Sequence, residues 1–110
     1  MSHWETQLRK GVVELAVLAT ISRGETYGYH IVEQLHGLAG LALTESTVYP
    51  VLTRLARDGA LEVRTEASPS GPSRRYYRLT ADGETRFRRM AEGWKTVSRS
   101  LSVLLEGAHT

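Results

Sequence analysis

Residues 44–61 read TESTVYPVLTRLARDGAL, and residues 71–83 read GPSRRYYRLTADG. The first stretch has apolar residues at helical spacing, which predicts a short helix that ends near Gly59. These apolar residues are Val48, Val51, Leu52 and Leu55. The second stretch alternates between residue types and then starts a helical pattern, which predicts an arginine-rich strand followed by a helix.

The predicted short helix has a polar outer face. Thr44 is a suitable N-cap, and Glu45 favours the positive end of the helix. Because Pro50 removes one helical hydrogen bond, we expect the regular helix to begin nearer Val48 or to bend at Pro50. At 100° per residue, the side opposite the apolar residues carries Ser46, Pro50, Thr53 and Arg57, flanked by Tyr49 and Arg54.

A β-hairpin is predicted after this helix, over about residues 60–79. Leu61, Val63 and Thr65 alternate with charged residues, as expected for a half-buried strand. A second alternation ends at Leu79, and the composition of the seven residues 67–73 predicts a loop between the two strands. The hairpin therefore presents arginines on both sides of its second strand.

Two further helices are predicted before this region. The first runs from about Trp4 to Arg23, with Leu8 and Val12 on its apolar face. The second starts around Tyr27 and ends near Gly37 or Gly40. Three helices followed by a hairpin predict a mainly α fold, a winged helix-turn-helix domain over residues 1–80 whose wing is the hairpin.

The C-terminal region, residues 81–110, is predicted to be one long dimerisation helix capped by Thr80. Its apolar residues recur at steps of three and four, which is a heptad pattern. They are Phe87, Met90, Trp94, Val97, Leu101, Leu104 and Ala108. A helix of about 27 residues is about 40 Å long, too long for so small a domain to cover. We expect a homodimer; the alternative is an amphipathic helix folded back on its own domain.

Composition limits the possible functions. The chain has 110 residues and no cysteine, which fits one small domain and excludes disulfides and thiolate sites. Residues 1–5 lack a basic segment and no apolar run could span a bilayer, so we expect neither a signal peptide nor membrane association. These features favour the cytoplasm.

Charge and residue type favour a DNA-binding surface. Residues 54–89 carry nine arginines against five acids, although the formal net charge of the chain is only +2. Hydroxyl groups and arginines can bond to phosphates, and arginine can also read a guanine edge. The candidate DNA-binding residues are Ser46, Thr47, Tyr49, Thr53, Arg54, Arg57, Arg74, Arg75 and Arg78. Arg75 shares the phase of Tyr77, so Arg74 and Arg78 are the stronger candidates on the wing.

Two other classes of function fit the sequence less well. A winged helix can serve protein contacts without binding DNA, and the exposed arginines argue against that alternative without excluding it. An enzyme is not expected, because no nucleophile elbow, phosphate-binding loop or dinucleotide fingerprint occurs. His30 and His36, with Glu33 between them, lie about 120° apart on a helix and do not form a metal pair. No metal or cofactor is therefore expected.

Several motifs resemble those of the PadR family of bacterial transcription regulators. They lie at residues 26–31, 47–50, 52–55, 58–59 and 71–83, in matching order and spacing. Val48, where the family often has leucine, is a small departure. The chain resembles the short subfamily, which has a single C-terminal helix. This resemblance implies a homodimeric repressor that binds pseudo-palindromic double-stranded DNA operators and is released by phenolic acids, antibiotics or other small molecules.

The resemblance also implies a ligand site. In a multidrug-binding member of the family, a tryptophan of the C-terminal helix lines a pore at the dimer centre and stacks on flat ligands. Trp94 matches that position, although the heptad pattern alone favours a packing role for it. The candidate residues for an aromatic effector site are Trp94, Trp4, Leu8, Val12 and Met90.

Overall fold

The structure, a computed structural model, describes residues 3–107. Five helices and three strands follow one another in this part of the chain. In order they are α1 His3–Lys10, α2 Val13–Ser22, β1 Thr26–Tyr27, α3 Gly28–His36, α4 Glu45–Arg57, β2 Leu61–Ser68, β3 Gly71–Leu79 and α5 Ala81–Gly107. The predicted mainly helical winged fold and long C-terminal helix are confirmed. Ala108, predicted in the heptad pattern, lies outside the described residues.

The predicted first helix is wrong in one respect, because it is divided in two. α1 ends at Lys10, and Val12 leaves the helical conformation with φ −120° and ψ −4°. Gly11 at the break has a low helix propensity, and the β-branched Val12 follows it. None of the residues of α1 is buried, whereas α2 buries Val13, Val17, Leu18 and Ile21.

The sheet has one more strand than the sequence indicated. Its order is β1-β3-β2, and both neighbouring pairs are antiparallel. β1 consists of two residues, Thr26 and Tyr27, which pair with Tyr77 and Tyr76. Tyr27 was predicted in the second helix, but that helix begins one residue later, at Gly28. The hairpin is therefore anchored to the start of α3.

The predicted seven-residue loop at the tip of the wing is also wrong. Strand pairing continues to Ser68 and Gly71, so that only Pro69 and Ser70 form the turn. An irregularity in the pairing lies between Glu66 and Ser68. The small and polar residues that resembled a loop are compatible with an exposed hairpin end, where Ala67, Pro69 and Ser70 lie in solvent.

α4 runs without interruption from Glu45, directly after the predicted N-cap Thr44, so that of the two alternatives given for Pro50 the late start near Val48 does not occur. Pro50 lies inside the helix and lacks the N–H that would reach the carbonyl of Ser46. Ser46 is exposed, and water can satisfy that carbonyl. Thr44 has the extended backbone of an N-cap but makes no side-chain capping bond; its hydroxyl lies 3.0 Å from the hydroxyl of Ser46.

The core lies between α2, α3, α4 and the base of the hairpin. Its fully buried residues come from the predicted apolar faces, among them Val17, Ile31 and Leu52. Leu61 and Tyr77 close the core on the hairpin side. This packing leaves the outer face of α4 and the distal half of α5 in solvent.

Candidate nucleic-acid interface and family

The outer face of α4 is exposed as the sequence predicted. Ser46, Tyr49, Thr53 and Arg57 lie on it, and all four are exposed. The Thr53 hydroxyl donates a hydrogen bond of 3.1 Å to the carbonyl of Tyr49, which keeps the hydroxyl near the helix surface. The arginine guanidinium of this face, on Arg57, lies 3.9 Å from Asp58 and remains 71% exposed.

Thr47 lies on a different flank of α4. It is exposed, but it borders a shallow cleft toward the end of α1 that Thr6, Arg9 and Lys10 also line. Thr47 therefore faces a neighbouring basic segment and not the hairpin.

Tyr49 packs partly against the start of α3. A Cβ atom added to Gly28 would lie 2.9 Å from the Tyr49 ring and 3.1 Å from its hydroxyl oxygen, so that only a glycine allows this approach. Burial raises the pKa of the Tyr49 phenol, and the nearby carboxylate of Glu45 raises it further. The phenol is therefore neutral at physiological pH and can donate a hydrogen bond while 38% of the residue is exposed.

Arg75 lies beside this part of α4. It shares a face of β3 with Tyr77, which is buried in the core, and near the tip the same face is open. A cleft of about 480 Å³ lies there, bordered by Tyr49, Thr53, Ser73 and Arg75. Among residues 3–107, the Arg75 guanidinium has no hydrogen-bond or ion-pair partner. The wing arginine ranked lowest from the sequence thus lies on the side of α4.

Arg74 and Arg78 project from the other face of β3. The Arg74 guanidinium carbon lies 4.8 Å from the centre of the Tyr27 ring, at the edge of the same cleft. Arg78 instead forms an ion pair with Glu62, directly opposite it on β2, and its Nε donates a bond of 2.6 Å. The carboxylate of Glu62 therefore neutralises much of the positive charge that Arg78 would otherwise contribute to the wing.

The same face carries a second charged group, in which Arg64 forms ion pairs with two carboxylates. Arg64 forms hydrogen bonds with Glu25 and Glu66, and it stacks on Tyr76 at 4.4 Å. The hydrogen bond from Arg64 holds the pKa of the Glu25 carboxyl below its usual range. This group fixes the short connection that leads into β1.

Arg54 forms a salt bridge with another helix of the domain. Its guanidinium donates a 2.7 Å hydrogen bond to Glu14 of α2, and Glu14 also accepts a 3.0 Å bond from Arg86 of α5. The sequence did not predict this role of Glu14, which lies within the apolar run of α2. A carboxylate in an otherwise buried helix is the signal that could have indicated a salt bridge.

The heptad residues of α5 divide into two groups. Phe87 and Met90 pack against the core of their own domain. Trp94, Val97, Leu101 and Leu104 are exposed, with 48% of the Trp94 surface and 68% of the Leu104 surface accessible. On α1, Trp4 and Leu8 are also exposed, whereas Val12 is half-buried in the turn before α2.

The histidines considered in the sequence have local contacts. His30 Nδ1 lies 2.7 Å from the hydroxyl of Thr26, while His36 is exposed at the end of α3. Within residues 3–107, no three metal-ligating side chains converge. In the same range, no helix has the length and apolar character needed to cross a lipid bilayer.

Comparison with known proteins identifies the family. The family model of the PadR-like transcriptional regulators matches residues 17–89. A PadR-like regulator from Bacillus cereus is 33% identical, with a TM-score of 0.79 over 90% of this chain and 96% of its own. A Streptococcus transcriptional regulator is 35% identical, with a TM-score of 0.77 over 89% and 96%.

Two more distant relatives complete the comparison. Bacillus subtilis PadR, in a crystal structure with operator DNA, is 26% identical with a TM-score of 0.66, covering 71% of this chain and 45% of its own. An uncharacterised protein of Lysinibacillus sphaericus is 25% identical over 100 residues, which is 89% of this chain and 92% of that protein. The match over residues 17–89, together with the shared fold, shows that this chain belongs to the PadR-like family of transcriptional regulators.

Proposed function

We propose that this protein is a homodimeric transcription repressor that binds double-stranded operator DNA and is released by a small aromatic effector. The observation that carries the DNA-binding part is the open, polar face of α4 beside the Arg75 guanidinium, which has no ion-pair partner in the described part of the chain. The operator complex of Bacillus subtilis PadR supports the same assignment. A regulator of this kind works where the DNA is, which in a bacterium is the cytoplasm.

α4 serves as the recognition helix in this proposal. A helix fits the major groove of B-form DNA, and Ser46, Tyr49 and Thr53 supply hydrogen-bonding groups along one exposed side. Arg57 adds a cation at the end of that side. Thr47 borders the face and can reach a flanking phosphate.

The wing supplies charge to the DNA backbone. Arg75 and Arg74 border the cleft next to α4, so both can approach a phosphate without first breaking an ion pair. Arg78 and Arg54 are paired with Glu62 and Glu14, and a phosphate has to compete with those carboxylates. We therefore expect Arg57, Arg74 and Arg75 to contribute most of the electrostatic affinity.

A second copy of the chain is the proposed partner of the exposed apolar residues. Four heptad residues of α5 project beyond the domain that Phe87 and Met90 pack against, and they repeat on one side of the helix. Exposed apolar surface of this kind indicates an interaction site, and twofold pairing covers it with an identical face. Trp4 and Leu8 of α1 add two further apolar side chains that a partner can cover.

Trp94 is the proposed platform for the effector. It is half-exposed and lies in the middle of the apolar side of α5, next to Gly93, where an added Cβ would meet no atom within 4 Å among residues 3–107 other than the local helix itself. A flat aromatic molecule can stack on an indole ring. Trp4, Leu8, Val12 and Met90 are the proposed surrounding residues.

Fluorescence tests the effector part. Planar aromatic compounds are expected to quench the tryptophan emission of the protein, and the quenching should disappear in Trp94→Ala. Quenching that persists in this variant and disappears in Trp4→Ala would place the ligand on α1 instead.

The salt dependence of DNA binding tests the main proposal. A random-sequence duplex is titrated at about 50 and 200 mM salt, and the neutralisation of several phosphates should weaken binding by orders of magnitude. Binding that is absent at both salt concentrations would favour the alternative, a winged helix used only for protein contacts.

A further inference from the structure

The carboxylate of Glu14 on α2 links the proposed recognition helix α4 to α5. Both oxygens of Glu14 are used: Oε1 accepts a 2.7 Å bond from Arg54 of α4, and Oε2 accepts a 3.0 Å bond from Arg86 of α5. Glu14 has only 19% of its side chain exposed, so these bonds are partly shielded from water. α2 thus places a negative charge between α4, the proposed DNA-binding helix, and α5, the proposed dimerisation helix.

A second contact joins the same two helices directly. Arg86 Nη1 lies 3.7 Å from Oδ2 of Asp58, the C-cap residue of α4. Arg86 therefore reaches α4 at two positions one turn apart, through Glu14 to Arg54 and directly to Asp58. We name Glu14, Arg54, Asp58 and Arg86 the Glu14 network.

The neighbouring Arg88 of α5 differs from Arg86 in exposure and in its partner. Arg88 is 68% exposed and lies 4.0 Å from Glu84, one turn back on its own helix. Arg86 is 35% exposed, and its guanidinium is directed at residues of other helices. A guanidinium can hold two carboxylates at fixed angles, which an ammonium cannot do.

A residue of the proposed DNA face lies next to the Glu14 network. Arg57 lies between Arg54 and Asp58 in the chain, it is exposed, and its Nε is 3.9 Å from Asp58. Partly buried ion pairs contribute little net stability, yet they restrict the geometry of the groups that they join. Fixing Arg54 and Asp58 therefore fixes the direction of the last turn of α4.

We propose that Arg86 is a positioning residue for DNA recognition, which acts through Glu14 and Asp58 to hold the C-terminal half of α4 in its reading orientation. This inference rests on the proposed function, since it requires α4 to bind DNA. It also makes the orientation of α4 depend on the position of α5, the helix that carries Trp94 further along.

The test compares Arg86→Gln with Arg88→Gln, which removes the same charge from an exposed position of the same helix. The probes are a duplex that the wild-type protein selects from a random-sequence library and a shuffled duplex of equal composition. Arg86→Gln should lower the ratio of the two affinities roughly tenfold, in the range of coupling energies between contacting residues. Arg88→Gln should leave the ratio unchanged.

Glu14→Gln gives an independent test because its two effects have opposite signs. Removing a negative charge strengthens binding to both duplexes by simple electrostatics. Because that gain applies to both duplexes, it leaves the ratio of selected to shuffled affinity unchanged. If Glu14 positions α4, its loss lowers this ratio. Thermal melting confirms that each variant is folded, and Arg86→Lys, which cannot hold both carboxylates, provides a milder variant with an intermediate loss.

The possible outcomes distinguish a failure of the positioning role of Arg86 from a failure of the proposed DNA-binding function. An unchanged affinity ratio in folded Glu14→Gln and in folded Arg86→Gln or Arg86→Lys overturns the positioning role. Failure of the wild-type protein to select any duplex overturns the proposed function instead.

Discussion

Arg75 and Arg78 carry the same charge on the same strand, but their surroundings differ. Arg75 borders the cleft beside α4, whereas Arg78 is paired with Glu62 across the hairpin. Strand alternation correctly indicated that Arg75 has the phase of Tyr77. It could not indicate that this face opens toward α4 near the tip, because that depends on how the hairpin packs against the helices.

This difference leads to a prediction at the residue scale. Arg75→Gln should weaken binding to a random duplex and lower the slope of log affinity against log salt by about one, as expected for one lost phosphate contact. Arg78→Gln should change both quantities less, because its charge is already balanced by Glu62. Fluorescence anisotropy at several salt concentrations measures both variants. Equal losses would show that the Arg78 ion pair opens on DNA.

At the scale of elements, the start of α5 is fixed by a close approach to the turn after α4. The hydroxyl of Thr80 accepts a 3.0 Å bond from the N–H of Gly83 and donates a 2.6 Å bond to the carbonyl of Gly59. Gly59 has φ 82°, which allows the chain to turn from α4 into β2. The predicted capping role of Thr80 is therefore confirmed.

Gly83 should be the glycine most sensitive to substitution in this contact. A Cβ at this position would lie 2.0 Å from the carbonyl oxygen of Ala60, which already accepts the N–H of Thr80. Gly83→Ala should lower the free energy of unfolding by at least about 2 kcal/mol, the cost of forcing a packed backbone apart. Chemical denaturation measures this change.

Gly37→Ala is the matched control for this prediction. Gly37 has φ −75°, and its added Cβ would lie no closer than 3.5 Å to another atom in the described structure. Alanine should therefore be neutral or slightly stabilising there. A Gly83→Ala variant as stable as Gly37→Ala would contradict the close packing of α5 on the turn.

Most elements could be predicted from sequence because their apolar residues repeat locally. The helical spacing of Val48, Leu52 and Leu55 is a property of neighbouring residues, and so is the heptad pattern of α5. β1 could not be predicted, since a two-residue strand exists only through its pairing with β3 about fifty residues later. The Glu14–Arg54 contact is equally non-local and left only the charge of Glu14 as a signal.

At the scale of the molecule, α5 gives the protomer its elongated form, with a longest extent of 60 Å. The domain covers Phe87 and Met90 but not the heptad residues that follow. The sequence alternative of a tail helix folded back on its own domain therefore applies to the first part of α5 only. The remaining part is the surface on which the proposed dimer depends.

Charging this surface should separate the protomers. Leu101→Glu places a carboxylate within the proposed interface, where burial without a partner is strongly unfavourable, so the variant should sediment as a monomer. Val103→Glu is the control, because Val103 is 66% exposed and lies about 200° around the helix from Leu101. A Leu101→Glu variant that remains dimeric would place the interface elsewhere.

The stoichiometry of the DNA complex tests whether two copies of this chain bind one operator together. Sedimentation of the wild-type protein with a duplex that it selects from a random library should give one complex that contains two chains and one duplex. The account predicts that the selected duplex has two related half-sites, since a twofold dimer presents two copies of α4. A saturated complex with one chain per duplex, or no complex in dilute buffer, would contradict it.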